Sequence, residues 1–198
     1  ANVDNLYRTM FSSTELKQEN QTLPFIRNAG KSTGYPGYFG MLLGAHGDDT
    51  YASIMYCDSI AFRLFGFDII EDNRDDSPHG VWLTERAANY FNVDKENFTW
   101  KPLYGLSENV SGIIKDTPTS SIVKKQWNGL GIVVVVKQEE LRWGGWILEM
   151  DETDENSHYM DSLTNVLYKN MRGKEAFGCG FIKDLNRKEY DQTERDMW

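Results

Sequence analysis

Cysteine is scarce: Cys57 and Cys179 are the only two in 198 residues. Two thiols cannot build the disulfide framework of a small secreted domain. A chain of this length also needs none, because it can bury about 70% of its unfolded surface in its own core. Long apolar runs are missing too. No stretch approaches the roughly 20 apolar residues of a membrane span, and no basic-then-apolar leader opens the sequence. Two free thiols in a reducing compartment are the simplest reading of these absences, and they predict a cytoplasmic protein. Basic residues are outnumbered, 21 against 30 acidic, for a net charge of −9. A nucleic-acid binder or an anionic-membrane binder needs a basic face, so neither partner is expected. Histidine is limited to three residues, which restricts the active sites that can be built.

Familiar fingerprints are also missing. No phosphate loop or dinucleotide motif is present, since Gly34 to Gly40 lacks the Lys-Ser/Thr ending. Gly105-Leu106-Ser107 fails as a nucleophile elbow at Asn109. Asp151 to Asp161 lacks the alternating ligands, central Gly and closing Glu of an EF-hand.

The most informative stretch is Lys124 to Met150. Ile132 to Val136 is an unbroken, mostly β-branched run, suited to a strand covered on both faces. After a polar turn, Trp146, Leu148 and Met150 alternate with Ile147 and Glu149. The pattern predicts a buried hairpin over about 130–150. Gly144-Gly145 within it marks a bulge or the close approach of another backbone or a ligand. Trp143 and Trp146 flank the pair. They are either core residues of a twisted hairpin or the walls of a binding groove floored by Gly144 and Gly145.

Helical patterns are expected over 2–20, from Thr84 to about Phe91, over 161–171 and over 186–197. Residues 50–65 favour one helix; the alternative is a strand from Tyr51 to Tyr56 and a helix starting after Asp58. Residues 21–40 carry loop chemistry anchored by Tyr35, Tyr38 and Phe39. Short strands are expected at 38–45, 67–70, 79–83, 100–106 and 176–183, with a surface connection over 107–121. Strands and helices mix without a βαβ rhythm. The expected class is therefore α+β, a single domain over 1–198 with a mixed or mainly antiparallel sheet. Its central buried hairpin is packed by several helices.

Two constellations could carry chemistry. His46-Gly47-Asp48-Asp49 follows an apolar stretch and offers imidazole and carboxylate to a divalent metal such as zinc. Its spacing resembles the His-Pro-Asp-Asp turn of LmbE-type N-deacetylases, departing at Gly47 and Thr50 and lacking a second His pair downstream. The resemblance implies His46, Asp48 and Asp49 as metal ligands. The plain alternative is that Asp48 and Asp49 cap a helix. The second constellation is Cys57 ahead of a helix, where the dipole favours thiolate, with His79 as base. In outline it is similar to papain-fold hydrolases of the NlpC/P60 type, and His158 is the other available base. The plain alternative is a small buried Cys57. The acidic runs Asp68 to Asp76 and Glu149 to Glu155 are either solvated loop charge or a surface for a basic partner.

The expected function is a non-catalytic binding protein, inhibitor-, immunity- or regulator-like, that meets a protein or small ligand through aromatic and acidic surface. The alternative is a hydrolase using Cys57 and His79, or a metal at His46, Asp48 and Asp49. No cofactor beyond that divalent metal is expected.

Overall fold

A computed structural model describes residues 6–9, 25–44, 51–74, 79–93, 110–119, 130–151, 161–163, 165, 180–185 and 187. These residues form ten strands: β1 (Leu6–Thr9), β2 (Ile26–Ser32), β3 (Met41–Gly44), β4 (Tyr51–Cys57), β5 (Ile69–Asp72), β6 (Gly80–Thr84), β7 (Val110–Ile114), β8 (Leu130–Val135), β9 (Gly145–Met150) and β10 (Gly180–Phe181). They make one mixed sheet in the order β10-β1-β9-β2-β4-β8-β6-β7-β5, with β3 paired to β4. Two short helices lie wholly within the described residues, α1 (Ser59–Phe65) and α2 (Glu85–Tyr90), with a 3₁₀ turn at Gln138–Glu140; residues 161–163, 165, 182–185 and 187 are helical as well.

The predicted helix-packed α+β architecture is therefore corrected. The described residues are mostly sheet with few short helices. The predicted hairpin over 130–150 is not a hairpin either. β8 and β9 are both strands, but β4 and β2 lie between them. β8 runs parallel to β4 and antiparallel to β6, while β9 pairs antiparallel with β1 and β2. The chain leaving β8 turns at Gln138–Glu140 and crosses to the other half of the sheet.

Every residue of β8 is buried, because each face of the sheet is covered there. Val133 and Val135 point with Met55, Cys57 and Trp82 into a core closed by Ala61, Phe62, Leu64 and Phe65 of α1. Leu130, Ile132 and Val134 point the other way, with Ile54, Val81 and Leu83, into a core closed by Ala87 and Ala88 of α2. An apolar run on both faces of a strand follows from this double cover. Each fully buried Val or Ile contributes about 1.5–3 kcal/mol of burial free energy.

The favoured single helix over 50–65 is replaced by the alternative, a strand and then a helix. Tyr51 to Cys57 pairs with β3 along part of one edge and with β8 along the other. Asp58 then caps α1, its carboxylate accepting the Ala61 N–H at 2.7 Å. Gly66 ends α1 in the left-handed conformation, φ 60° and ψ 43°, which suits glycine. Thr84 caps α2, and its hydroxyl also accepts the Gly131 N–H at 3.1 Å, tying α2 to β8.

Three other expectations change. The predicted helix over 2–20 is a strand at Leu6–Thr9, the rest lying outside the described residues. The predicted loop over 21–40 contains β2, and the predicted connection over 107–121 contains β7. The remainder of the loop is held by Tyr35 and Phe39, which are buried, and by the Phe39 N–H donating to the Thr119 carbonyl at 3.0 Å.

The two halves of the sheet meet at a narrow seam. β2 and β4 share one residue pair, Ser32 and Cys57. Around it, the Thr33 N–H donates to the Tyr56 carbonyl at 2.8 Å and the Asp58 N–H to the Lys31 carbonyl at 2.9 Å. Asp58 is 3% exposed and also accepts from the Lys31 N–H at 2.9 Å and the Gln138 Nε2 at 2.7 Å. The Lys31 ammonium donates to the Leu141 carbonyl. One carboxylate thus ties together β2, α1 and the 3₁₀ turn.

Candidate functional site

Cys57 closes β4 and is fully buried in the α1-side core. Burial pushes its thiol well up, and the neighbouring Asp58 carboxylate adds to the shift. Both effects oppose the thiolate that a nucleophile requires. The proposed base is not adjacent. Cys57 and Gly80 both pair with Val135, from opposite edges of β8. His79 therefore approaches from two strands away, about 10 Å in the ladder direction. The helix that was to activate the thiol instead spends its N-terminal N–H on Asp58. The Cys57/His79 dyad is corrected to a buried structural thiol and a half-buried His79 at the head of β6. In a Cys179→Ser background, Cys57 should stay unmodified by a thiol-specific disulfide reagent in the folded protein and react on adding denaturant. Stoichiometric reaction without denaturant would contradict this placement.

His46, Asp48 and Asp49 lie outside the described residues, as does His158. Among the described residues, no three His, Cys, Asp or Glu side chains gather as a metal site would require.

The two tryptophans do not wall a common groove. Trp146 is 2% exposed, on the same side of β9 as Leu148 and Met150, whereas Trp143 is 54% exposed with its ring 6.4 Å from that of Tyr56. The glycine floor is occupied by backbone: a Cβ on Gly144, whose φ is +120°, would stand 2.6 Å from the Ser32 carbonyl oxygen. Gly145 pairs with Ser32 in the ladder. The glycines therefore admit the β2 backbone at the seam, and of the predicted surface only Trp143 is a strongly exposed aromatic.

The acidic runs are partly structured. Glu149 accepts from the Asn28 amide, and Asp151 pairs with Arg27. Asp72 accepts from Arg74 Nη2 at 2.6 Å and Nε at 2.9 Å, and this hydrogen bonding holds its carboxyl below the usual aspartate value. Asp72 ends β5, the last strand on one side of the sheet, and here the structure adds a feature that sequence reasoning missed. Ile69 and Ile70, at 43% and 44%, are two of the four exposed large hydrophobic side chains among the described residues, so β5 is the main apolar outcrop. The strand-like run Phe67 to Ile70 followed by dense acidic charge was the available signal.

No protein-family model and no curated protein matches the sequence. Solved structures do match the fold. The periplasmic region of MacB from Actinobacillus actinomycetemcomitans is similar at a TM-score of 0.59 and 13% identity, over 93% of this chain and 92% of that one. The extracellular domain of the noncanonic ABC-type transporter YknZ from Gram-positive bacteria is similar at 0.55 and 13%, over 84% and 87%. A domain of a protein assigned as a permease from Porphyromonas gingivalis is similar at 0.50 and 11%, over 86% of each chain.

These likenesses overturn the functional expectation. The fold is shared with a periplasmic region and with an extracellular domain of an ABC-type transporter, so the inhibitor-, immunity- or regulator-like reading and both hydrolase readings are withdrawn. The cytoplasmic expectation falls with them, because two of the three relatives in fold are periplasmic or extracellular. It rested on scarce cysteine, and a core of this size needs no disulfide in any compartment. No helix among the described residues is long and apolar enough to cross a membrane.

Proposed function

We propose that this chain is an extracytoplasmic domain of an ABC-type transporter permease, and that it works there by meeting other proteins rather than by catalysing a reaction. One observation carries the reading: the likeness to the periplasmic region of MacB spans nearly the whole of both chains, 93% and 92%. A shared fold alone leaves function open. Two features support the reading further. The proposed thiol nucleophile is sequestered in the core. The exposed chemistry is instead acidic charge with isolated apolar side chains on β5 and at Trp143.

The test is topological. Glu139 is exposed on the 3₁₀ turn, so Glu139→Cys in a Cys179→Ser background gives one accessible thiol with Cys57 silent. Expressed in the native full-length gene product, that thiol should react with a membrane-impermeant maleimide in intact cells. Labelling that appears only after lysis would place the domain inside the cell and end the proposal.

A further inference from the structure

β5 terminates the strand path, and among the described residues its only strand neighbour is β7. Its inner edge is fastened. The Lys115 N–H donates to the Asp68 carbonyl and the Asn73 N–H to the Ser111 carbonyl, each at 2.8 Å, so the strand is held at both ends. The Arg74 guanidinium adds a clamp, bonding Asp72 while lying 5.0 Å from the centre of the Trp82 ring. The outer side is different. Ile69 and Ile70 stand exposed, whereas Ile113 and Ile114 on the neighbouring β7 are buried. The pairing register shifts between Ile69 and Glu71, the signature of a bulge at Ile70. Bulges at sheet edges re-aim side chains, and this one lies beside two isoleucines left in water.

An open strand edge is a template for another strand, and proteins usually blunt it. Lysine is a common blunting residue, but β5 carries no basic residue. From Asp68 to Asp76 the sequence DIIEDNRDD holds five acidic residues and one basic residue, and that Arg74 is engaged by Asp72. This charge selects among occupants. In an antiparallel pairing with a second copy centred on Ile70, Asp68 of each strand would face Asp72 of the other, and like charges directly opposite each other are destabilising.

We propose that the outer edge of β5 is a docking strip for an extended segment of a partner protein, flanked by lysine or arginine, that adds to the sheet as a further strand. Main-chain pairing would supply the affinity and Ile69 and Ile70 the apolar contact, as in other strand additions. The acidic charge around the strand, Asp68 foremost, would select the basic flank and speed its approach at low salt. The inference shares with the transporter reading only the premise that the chain meets a protein. Its test uses the purified full chain, so its outcome is independent of where the domain lies in the cell.

The probe is a fluorescein-labelled peptide, Lys-Thr-Val-Thr-Val-Lys. Two controls accompany it: one with both lysines changed to glutamate, and one with alternate backbone nitrogens methylated so that it cannot pair. Anisotropy titration should show saturable binding of the first peptide, with each control weaker by about tenfold or more. Ile70→Asn should weaken it by a similar factor, and because Ile70 is exposed the fold should survive, as checked by unchanged amide exchange in β6 and β8. Bound peptide should slow amide exchange across Ile69–Asp72. The proposal fails if the methylated peptide binds as well as the parent, if Ile70→Asn changes nothing, or if no saturable binding occurs. It also fails if sedimentation shows self-association that Ile70→Asn abolishes, since the occupant would then be a second copy.

Discussion

Asp58→Ala lowers the unfolding free energy by about 3–4 kcal/mol, the sum of a lost helix cap and of buried donors left unmet. The Asp58 carboxylate accepts three hydrogen bonds while 3% exposed, from Ala61 N, Lys31 N and Gln138 Nε2. Removing the cap alone costs about 1 kcal/mol. The remainder comes from the Lys31 N–H and the Gln138 amide, each costing about 1–3 kcal/mol if buried without a partner. Asp58→Asn separates the two contributions. Its amide oxygen can still accept from Ala61, but its NH₂ group faces two donors, so it should recover the cap and little else. Urea unfolding with the slope held in common measures both. A loss below about 1 kcal/mol for the alanine variant would mean that water replaces these bonds and that the seam is less dry than described.

Gly30→Ala is the second large effect. A Cβ at Gly30 would stand 2.3 Å from the Ala61 nitrogen, 2.7 Å from its Cα and 2.8 Å from its Cβ. Two of those atoms are backbone, so no rotamer change relieves the overlap. α1 must lift from β2, and Phe62, Leu64 and Phe65 would lose part of their packing over the sheet. Overpacking of this kind costs about 3 kcal/mol or more. Adding Ala61→Gly removes only the Cβ contact, so it should restore a minor share. Thermal melts of the two variants side by side decide this, and a Gly30→Ala protein as stable as the parent would contradict the close approach of α1 to β2.

Some of this was legible in the residues and some was not. Ile132 to Val136 announced a strand covered on both faces, because β-branched side chains without alternation have few other homes. Thr84 announced a helix start for a different local reason, a hydroxyl able to accept a first-turn N–H. Pairing was not legible. β8 and β9 are separated by a short polar stretch, which looks like a hairpin loop, yet their neighbours come from residues far earlier in the chain. Tyr51 to Cys57 was ambiguous because burial on both sides removes the period of two that distinguishes strand from helix. β2, with the sequence IRNAGKS, carries almost no apolar signal. It is a strand because β9 and β4 pair with it and because Gly30 makes room for α1. The candidate surface followed the same rule. The acidic charge around β5 was visible in the sequence, but the exposure of Ile69 and Ile70 depends on which strand ends the sheet.

The strand order has a consequence for how the molecule is made. β4 and β6 have no common neighbour until β8 is present, and β2 waits for β9. Lys31 finds its carbonyl partner 110 positions later, at Leu141. Contacts so distant in sequence slow the search for the native state. A ribosome delivers the N-terminal half first, at about 5–20 residues per second. In that half only β3 and β4 find each other early; β1 and β2 stay without their β9 partner, and β4 and β6 without β8, for several seconds, so the valine run joins β4 to β6 and β9 then brings in β1 and β2.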